Sequence, residues 1–289
     1  MAYFSIRQVW IDTLLTAIAP VIWGSTYIVT TQCLPPDRPF TAALLRSLPA
    51  GAALVWYGKR MPVSGQWQRM VILAALNIGF FQALLFVAAY RLPGGVAAVV
   101  GAIQPLLLMV LAWSVDARRP ARIAVGAALA GMAGMAALLL APGLQLDAVG
   151  IAAALGGTLC MGAGTFLAQR WRTALPLLAF TGWQLLLGGL MLAPLAYAFD
   201  PPLPPLGLSE LLGYAYLCVF GAMLSYVLWF RGVARLPAAA VSSLGLLSPI
   251  TAVALGWIVL NQSLGGVSLV GLVVVLLSIF TVQWASRAP

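Results

Sequence analysis

Residues 84–113 read LLFVAAYRLPGGVAAVVGAIQPLLLMVLAW, and residues 228–257 read LWFRGVARLPAAAVSSLGLLSPITAVALGW. At a shift of 144 they align without a gap. Nine of thirty positions are identical: Leu84/Leu228, Phe86/Phe230, Arg91/Arg235, Leu92/Leu236, Pro93/Pro237, Gly101/Gly245, Pro105/Pro249, Leu111/Leu255 and Trp113/Trp257. In so biased a composition chance gives roughly one match in ten. Arg-Leu-Pro, a second proline twelve residues on and a tryptophan eight further make an internal duplication.

Outward from this repeat the chain is a succession of apolar runs. About 20 helical residues cross a 30 Å hydrocarbon core. Spans are expected at 13–31, 40–57, 68–90, 94–115, 121–140, 148–168, 176–198, 209–230, 238–260 and 264–285. The runs are continuously apolar, without the period-two alternation of a membrane barrel. Turn chemistry separates them, as in Pro35-Pro36-Asp37-Arg38-Pro39, Ala141-Pro142-Gly143 and Pro201-Pro202. The expected fold is therefore an all-α membrane protein of ten transmembrane helices in one integrated membrane domain. Its first five-helix repeat takes 1–142 and its second 143–289.

Five is odd, so the second copy enters the membrane from the opposite side. An inverted-topology repeat is an architecture of alternating-access transporters, in which two similar halves exchange conformations around one site. A duplication kept only for packing is the bland alternative.

Composition supports this reading. Of 289 residues 63% are apolar, and 15 basic plus 6 acidic residues make 21 charged. A soluble surface takes about 25% charge. The mean hydropathy is +1.03. The net charge of +9 is spread over short gaps between spans, which excludes a nucleic-acid patch. Twelve basic residues fall on the side of the termini: Arg7, Lys59, Arg60, Arg69, Arg118, Arg119, Arg122, Arg170, Arg172, Arg231, Arg235 and Arg287. Only Arg38 and Arg91 fall on the other. The positive-inside rule then makes both termini cytoplasmic, in a multi-pass protein of the cell inner membrane. Trp23 and Tyr27 stand where a signal peptidase wants small residues, so the first run is expected to stay as a helix.

Several chemistries are excluded. The chain has no histidine, and Cys33, Cys160 and Cys218 lie too far apart for a metal site or a disulfide framework. The six acids, Asp12, Asp37, Asp116, Asp147, Asp200 and Glu210, all fall at or near span ends. No acid pair sits at depth for intramembrane catalysis, so neither enzyme activity nor a metal or other cofactor is expected. For the same reason transport is expected to be facilitative, or coupled without a buried carboxylate.

Polar groups in hydrocarbon are costly unless they meet a cavity or a partner. Arg46 is the basic residue well inside a span; it either meets a substrate carboxylate or bonds to helix-end carbonyls. Asn77, Phe81 and Gln82 sit in the third span, with Gly221, Ser225 and Tyr226 as repeat mates in the eighth. Gln104 precedes Pro105, and Ser248 precedes Pro249. Ser242 and Ser243 add hydroxyls, and Trp23, Tyr27, Trp183 and Gln184 add aromatic and amide groups. These residues are candidates for substrate binding, although interhelical packing explains any one of them alone. Pro93, Pro105, Pro237 and Pro249 are candidate hinges, and the two inner prolines would leave the Gly101 and Gly245 carbonyls unpaired. Gly126, Gly131 and Gly134 read as small-residue packing, or more weakly as a dimer face.

With Trp23-Gly24-Ser25-Thr26, Leu45-Arg46, the proline-led fourth and ninth spans, and Trp183-Gln184 in the place of Leu45-Arg46, the whole chain resembles the EamA type of the drug/metabolite transporter superfamily. Gly162 to Thr165 echoes the first of these motifs. Overall similarity is to the YddG-like aromatic amino-acid exporters. The glutamate that many members carry after the fourth and ninth helices is replaced by Asp116 and by Asn261-Gln262. The resemblance implies export of small metabolites, amino acids or drug-like cations through a central cavity lined mainly by helices 3, 4, 8 and 9. It also leaves open a nucleotide-sugar carrier and a channel-like facilitator. The implied partners are a small-molecule substrate and membrane lipid, with the chain a monomer or weak homodimer.

Overall fold

The computed structural model describes residues 6–92, 94–139, 147–171, 173–260 and 265–286, with ten long helices among them. Pro93, the boundary at 142/143, Arg172, Asn261-Gln262 and Arg287 lie outside the described residues.

Helix α1 is Ile6–Cys33 and α2 is Pro39–Gly58. Helix α3 follows a short 3-10 turn and runs as Trp67–Ala74, a π-helical turn Ala75–Gly79, and Phe80–Arg91. Helix α4 is broken into Gly94–Gly101 and Gln104–Asp116. Helices α5 (Arg122–Leu139), α6 (Ala148–Arg170) and α7 (Leu177–Phe199) follow. Helix α8 runs as Leu208–Tyr216, a π-helical segment Leu217–Leu224, and Ser225–Arg235. Helix α9 is broken into Ala238–Leu244 and Leu247–Leu260, and α10 is Gly266–Ala285. The duplication thus extends to irregularities that composition does not reveal. The π turn of α3, shifted by 144, falls inside that of α8, and the break of α4, shifted likewise, overlaps that of α9 at residue 246.

Among the described residues nine of the ten helices are long and apolar enough to cross a membrane by composition alone. The exception is α2, which carries Arg46, Ser47 and an internal Pro49. One face packs along α7 and on α8 and buries Arg46, Ser47, Ala50 and Gly51, while Trp56 and Tyr57 lie exposed. Its polar residues face other helices rather than lipid.

Packing follows the pseudo-twofold. Helices α2 and α7 are repeat mates and lie against each other, as do mates α5 and α10. Helix α1 packs on α8 and α9 of the other half, and its mate α6 packs on α3 and α4. Helix association in lipid rests on close van der Waals packing rather than on water exclusion, which favours small residues at contacts. Gly131 and Gly134 of α5 press on Ser278, Val274 and Gly271 of α10, whereas Gly126 faces open space.

Two expectations are corrected. Helix α1 starts at Ile6, before the expected residue 13, and Asp12 inside it is 2% exposed. Arg231 and Arg235 neutralise it, which lets a charge enter the helix. The Gly245 carbonyl is not free, because it accepts the Ser248 N–H at 3.1 Å. Pro249 and Pro105 each sit in the first turn of a second half-helix rather than at a kink in a continuous one. Proline is well tolerated there, since it has no N–H to lose.

Candidate functional site

Polar residues meet between the halves at three levels. Gln82 of α3 donates from Nε2 to the Tyr226 hydroxyl of α8 at 3.0 Å. These two positions are 144 apart, so the bond joins repeat mates and marks the pseudo-twofold axis. Both residues are buried.

On either side of this bond lie two contacts that the repeat relates. Arg46, seven residues into α2, donates from Nη2 to the Gly221 carbonyl in the π segment of α8 at 2.8 Å. Gln184, seven residues into α7, accepts at Oε1 from Asn77 Nδ2 in the π turn of α3 at 2.7 Å. Asn77 and Gly221 are again 144 apart. Each second helix therefore reaches into the π segment of the opposite half's third helix. π turns occur often at functional sites, because they shift backbone groups out of the regular ladder.

Aromatic rings close one side of the cluster. Trp23 Nε1 donates to the same Gly221 carbonyl at 3.0 Å. Its ring stands 5.1 Å from Tyr226 and 5.2 Å from Trp229, and Tyr226 and Phe180 in turn meet Phe230 at 5.8 and 5.5 Å. Phe81 packs against this core. Several buried polar atoms have no hydrogen-bond partner: Asn77 Oδ1, Gln82 Oε1, Gln184 Nε2, Gln104 Nε2, Thr165 Oγ1 and Trp229 Nε1. An unpaired buried polar atom costs about 1–3 kcal/mol, so this set holds hydrogen-bonding capacity that the helices themselves do not use.

The structure therefore brings Trp23, Arg46, Asn77, Phe81, Gln82, Gln184 and Tyr226 into one region, with Gln104 against α6 beside it. Trp183 points instead to the helix ends near the termini, donating to the Arg60 carbonyl at 2.9 Å and meeting the Trp67 ring edge-on at 4.9 Å. Ser242 bonds within its own helix to the Ala239 carbonyl at 3.0 Å. Ser243 does the same to Ala240 and accepts from Gln283 Nε2 of α10 at 3.2 Å, so it serves the packing of α10. The side chain of Tyr27 lies outside the described residues. Sequence reasoning missed the Gly221 carbonyl as the common acceptor, and no side-chain signal points to it. It also missed the Gln82–Tyr226 bond, although their separation equals the repeat shift.

At the end opposite the termini, a recess of about 260 Å³ is lined by Asp37, Phe40, Phe86, Arg91, Phe199 and Asp200. Among the described residues no group of three or more Cys, Asp or Glu could hold a metal ion.

Ten helices in inverted halves around a shared polar core define a multi-pass membrane transporter. The chain belongs to the EamA-like transporter family, whose pattern matches twice, over residues 10–140 and 148–284. Protein PecM of Dickeya dadantii is 42% identical over 92% of this chain and 90% of its own. A probable amino-acid metabolite efflux pump of Salmonella typhimurium is 24% identical over 93% of each chain. A crystal structure 20% identical in sequence superposes with a TM-score of 0.81 over 96% of this chain and 97% of that one, which shows the shared fold.

Proposed function

We infer that this transporter is a secondary carrier that exports small metabolites, neutral and aromatic amino acids first among them, by alternating access at the Gln82–Tyr226 axis. One observation carries the reading: amide atoms of Asn77, Gln82 and Gln184 are buried without partners, beside Arg46 and an aromatic wall, where the two halves meet. An arginine and amide groups suit a carboxylate and an ammonium group, and the rings of Trp23, Tyr226 and Phe230 suit an apolar or aromatic side chain. The relative described as a probable amino-acid metabolite efflux pump favours the same substrate class. In this reading the halves 1–142 and 143–289 supply the two sides of the site, and the chain works as a monomer or weak homodimer. The end that carries the termini faces the cytoplasm of the inner membrane, as the basic residues there indicate.

The test is flux of a radiolabelled amino-acid panel in proteoliposomes. A carrier saturates and shows counterflow. Gln82→Leu and Tyr226→Phe are expected to raise KM or cut turnover at least tenfold while membrane levels stay normal. Flux that neither saturates nor shows counterflow overturns the carrier reading, and normal transport in both variants overturns the site.

A further inference from the structure

The flank where α5 meets α10 carries a groove of about 390 Å³. Ile123, Gly126 and Ala130 line it from α5, and Val274, Leu277 and Thr281 from α10. It opens beside the close contacts at Gly131 and Gly134, because nothing fills the space at Gly126: a Cβ there would have no atom within 4 Å. The hydroxyls in its wall are spent on their own scaffold. Ser278 Oγ donates to the Ala127 carbonyl at 2.6 Å, and Thr281 Oγ1 to the Leu277 carbonyl at 2.8 Å. Such a wall suits hydrocarbon and leaves no polar group for it to strand.

Helix α5 begins, and α10 finishes, at the end of the molecule that carries the termini. The groove takes the first half of α5 and the second half of α10, so it runs inward from that end. Arg122 is the first residue of α5. Positions i, i+4 and i+8 share a helix face, so Arg122, Gly126 and Ala130 form one line, with the arginine at the mouth. Arg118 and Arg119 stand in the connection just before it. All three arginines are exposed, and none has an ion pair among the described residues. The neighbouring acid, Asp116, is taken by Arg170. Arginine stems can follow apolar surface while their guanidinium groups stay in the headgroup layer, where they bind phosphate bidentately.

The repeat sharpens the pattern. At the related place on α10, Val270 replaces Gly126 and Val267 replaces Ile123, both exposed. The mates of the three arginines are Gln262, Ser263 and Gly266, all uncharged. The opening at residue 126 and the positive charge at its mouth therefore occur together, in one copy of the repeat. A second copy of the chain is the poorer occupant. Copies inserted in the same orientation would meet here with their unpaired arginines at the same end, and like charges so juxtaposed repel.

We propose that this groove is a binding site for an anionic phospholipid, with its phosphate held by Arg118, Arg119 and Arg122 and an acyl chain lying along Gly126 and Ala130. Basic clusters at the ends of grooves between transmembrane helices recognise lipid headgroups in this way.

The experiment titrates delipidated full-length protein in detergent with dioleoyl phosphatidylglycerol or dioleoyl phosphatidylcholine and counts retained lipid by native mass spectrometry. One phosphatidylglycerol per chain is expected to bind at least tenfold more tightly than phosphatidylcholine, and glycerol phosphate in tenfold excess is expected not to displace it. Arg118→Gln/Arg119→Gln/Arg122→Gln is expected to abolish the preference. Gly126→Leu/Ala130→Leu, which fills the groove and keeps the arginines, is expected to weaken phosphatidylglycerol at least tenfold. Melting in lipid-free detergent checks that each variant folds; if the triple variant does not, Arg122→Gln alone decides, with an expected loss of at least threefold. Equal retention of the two lipids, displacement by glycerol phosphate, or full phosphatidylglycerol binding in the filled-groove variant overturns the proposal. A dimer in lipid-free detergent that Gly126→Leu/Ala130→Leu abolishes would assign the groove to a second copy, and overturns it too.

Discussion

Replacing Gly51 with alanine tests whether α2 and α7 are held backbone to backbone. A Cβ at Gly51 would stand 2.7 Å from both the Leu185 carbonyl carbon and the Leu186 Cα. Ordinary contact begins at 3.4 Å and the Leu186 backbone N lies nearer still, so the helices must part by at least about 3.4 − 2.7 = 0.7 Å. The obstructing atoms are backbone, so no rotamer change relieves the clash. Overpacking of this kind costs about 1–3 kcal/mol. For a chain of this size that lowers Tm by roughly 2–12 °C. Arg46 lies five residues away on the same helix, so a displacement of α2 also disturbs its bond to the Gly221 carbonyl. Transport is therefore expected to fall along with Tm. Gly189→Ala, which meets the Leu48 Cα at 2.9 Å from the mate helix, should behave alike. Gly126→Ala is the control, with no atom within 4 Å of its Cβ. The assay is tryptophan-fluorescence melting in detergent, paired with flux in proteoliposomes. A Gly51→Ala protein that melts within a degree of the parent would refute the backbone contact.

Three further outcomes are expected. Pro105→Leu and Pro249→Leu keep the fold, because each proline begins a half-helix, but slow turnover by joining the two pieces of α4 or α9; unchanged rates in both would remove the hinge role. Gln283→Leu frees Ser243 and the Ala240 carbonyl in the packing of α10, so it should lower stability by about 1–3 kcal/mol in melting assays and leave KM for substrate unchanged. An imposed pH gradient should drive no uphill accumulation in proteoliposomes, because the buried Asp12 is held by two arginines; gradient-driven uptake lost in Asp12→Asn would contradict this.

The positions of the ten helices were legible because lipid demands long apolar runs, and the repeat was legible because Arg91-Leu92-Pro93 recurs at Arg235-Leu236-Pro237. Helix α2 was read as one more apolar run at 40–57, although Arg46 and Pro49 lower its hydropathy. The π segments at Ala75–Gly79 and Leu217–Leu224 left no trace in composition, because they arise from how neighbouring helices compete for backbone groups. Ser243 illustrates the limit of reading sites from polarity. A buried hydroxyl can serve a substrate or a neighbouring helix, and its partner is Gln283, forty residues away. Asp12 was placed at a helix end because its neutralising arginines lie more than two hundred residues later in the chain.

In the proposed alternating-access carrier, the bond between Gln82 and Tyr226 bears on how time would be divided between the two open states. In a perfectly symmetric pair of halves the axis positions would be the same residue, and opening to either side would cost the same. Here a glutamine faces a tyrosine, and on the flanks a guanidinium faces a backbone carbonyl where its mate contact joins two amides. Fusing both copies into one chain lets each substitution fall on one side only. A net difference of about 1.4 kcal/mol across these contacts shifts the balance tenfold toward one opening. In such a carrier the resting orientation of the empty protein would be tuned at the axis, without touching either mouth.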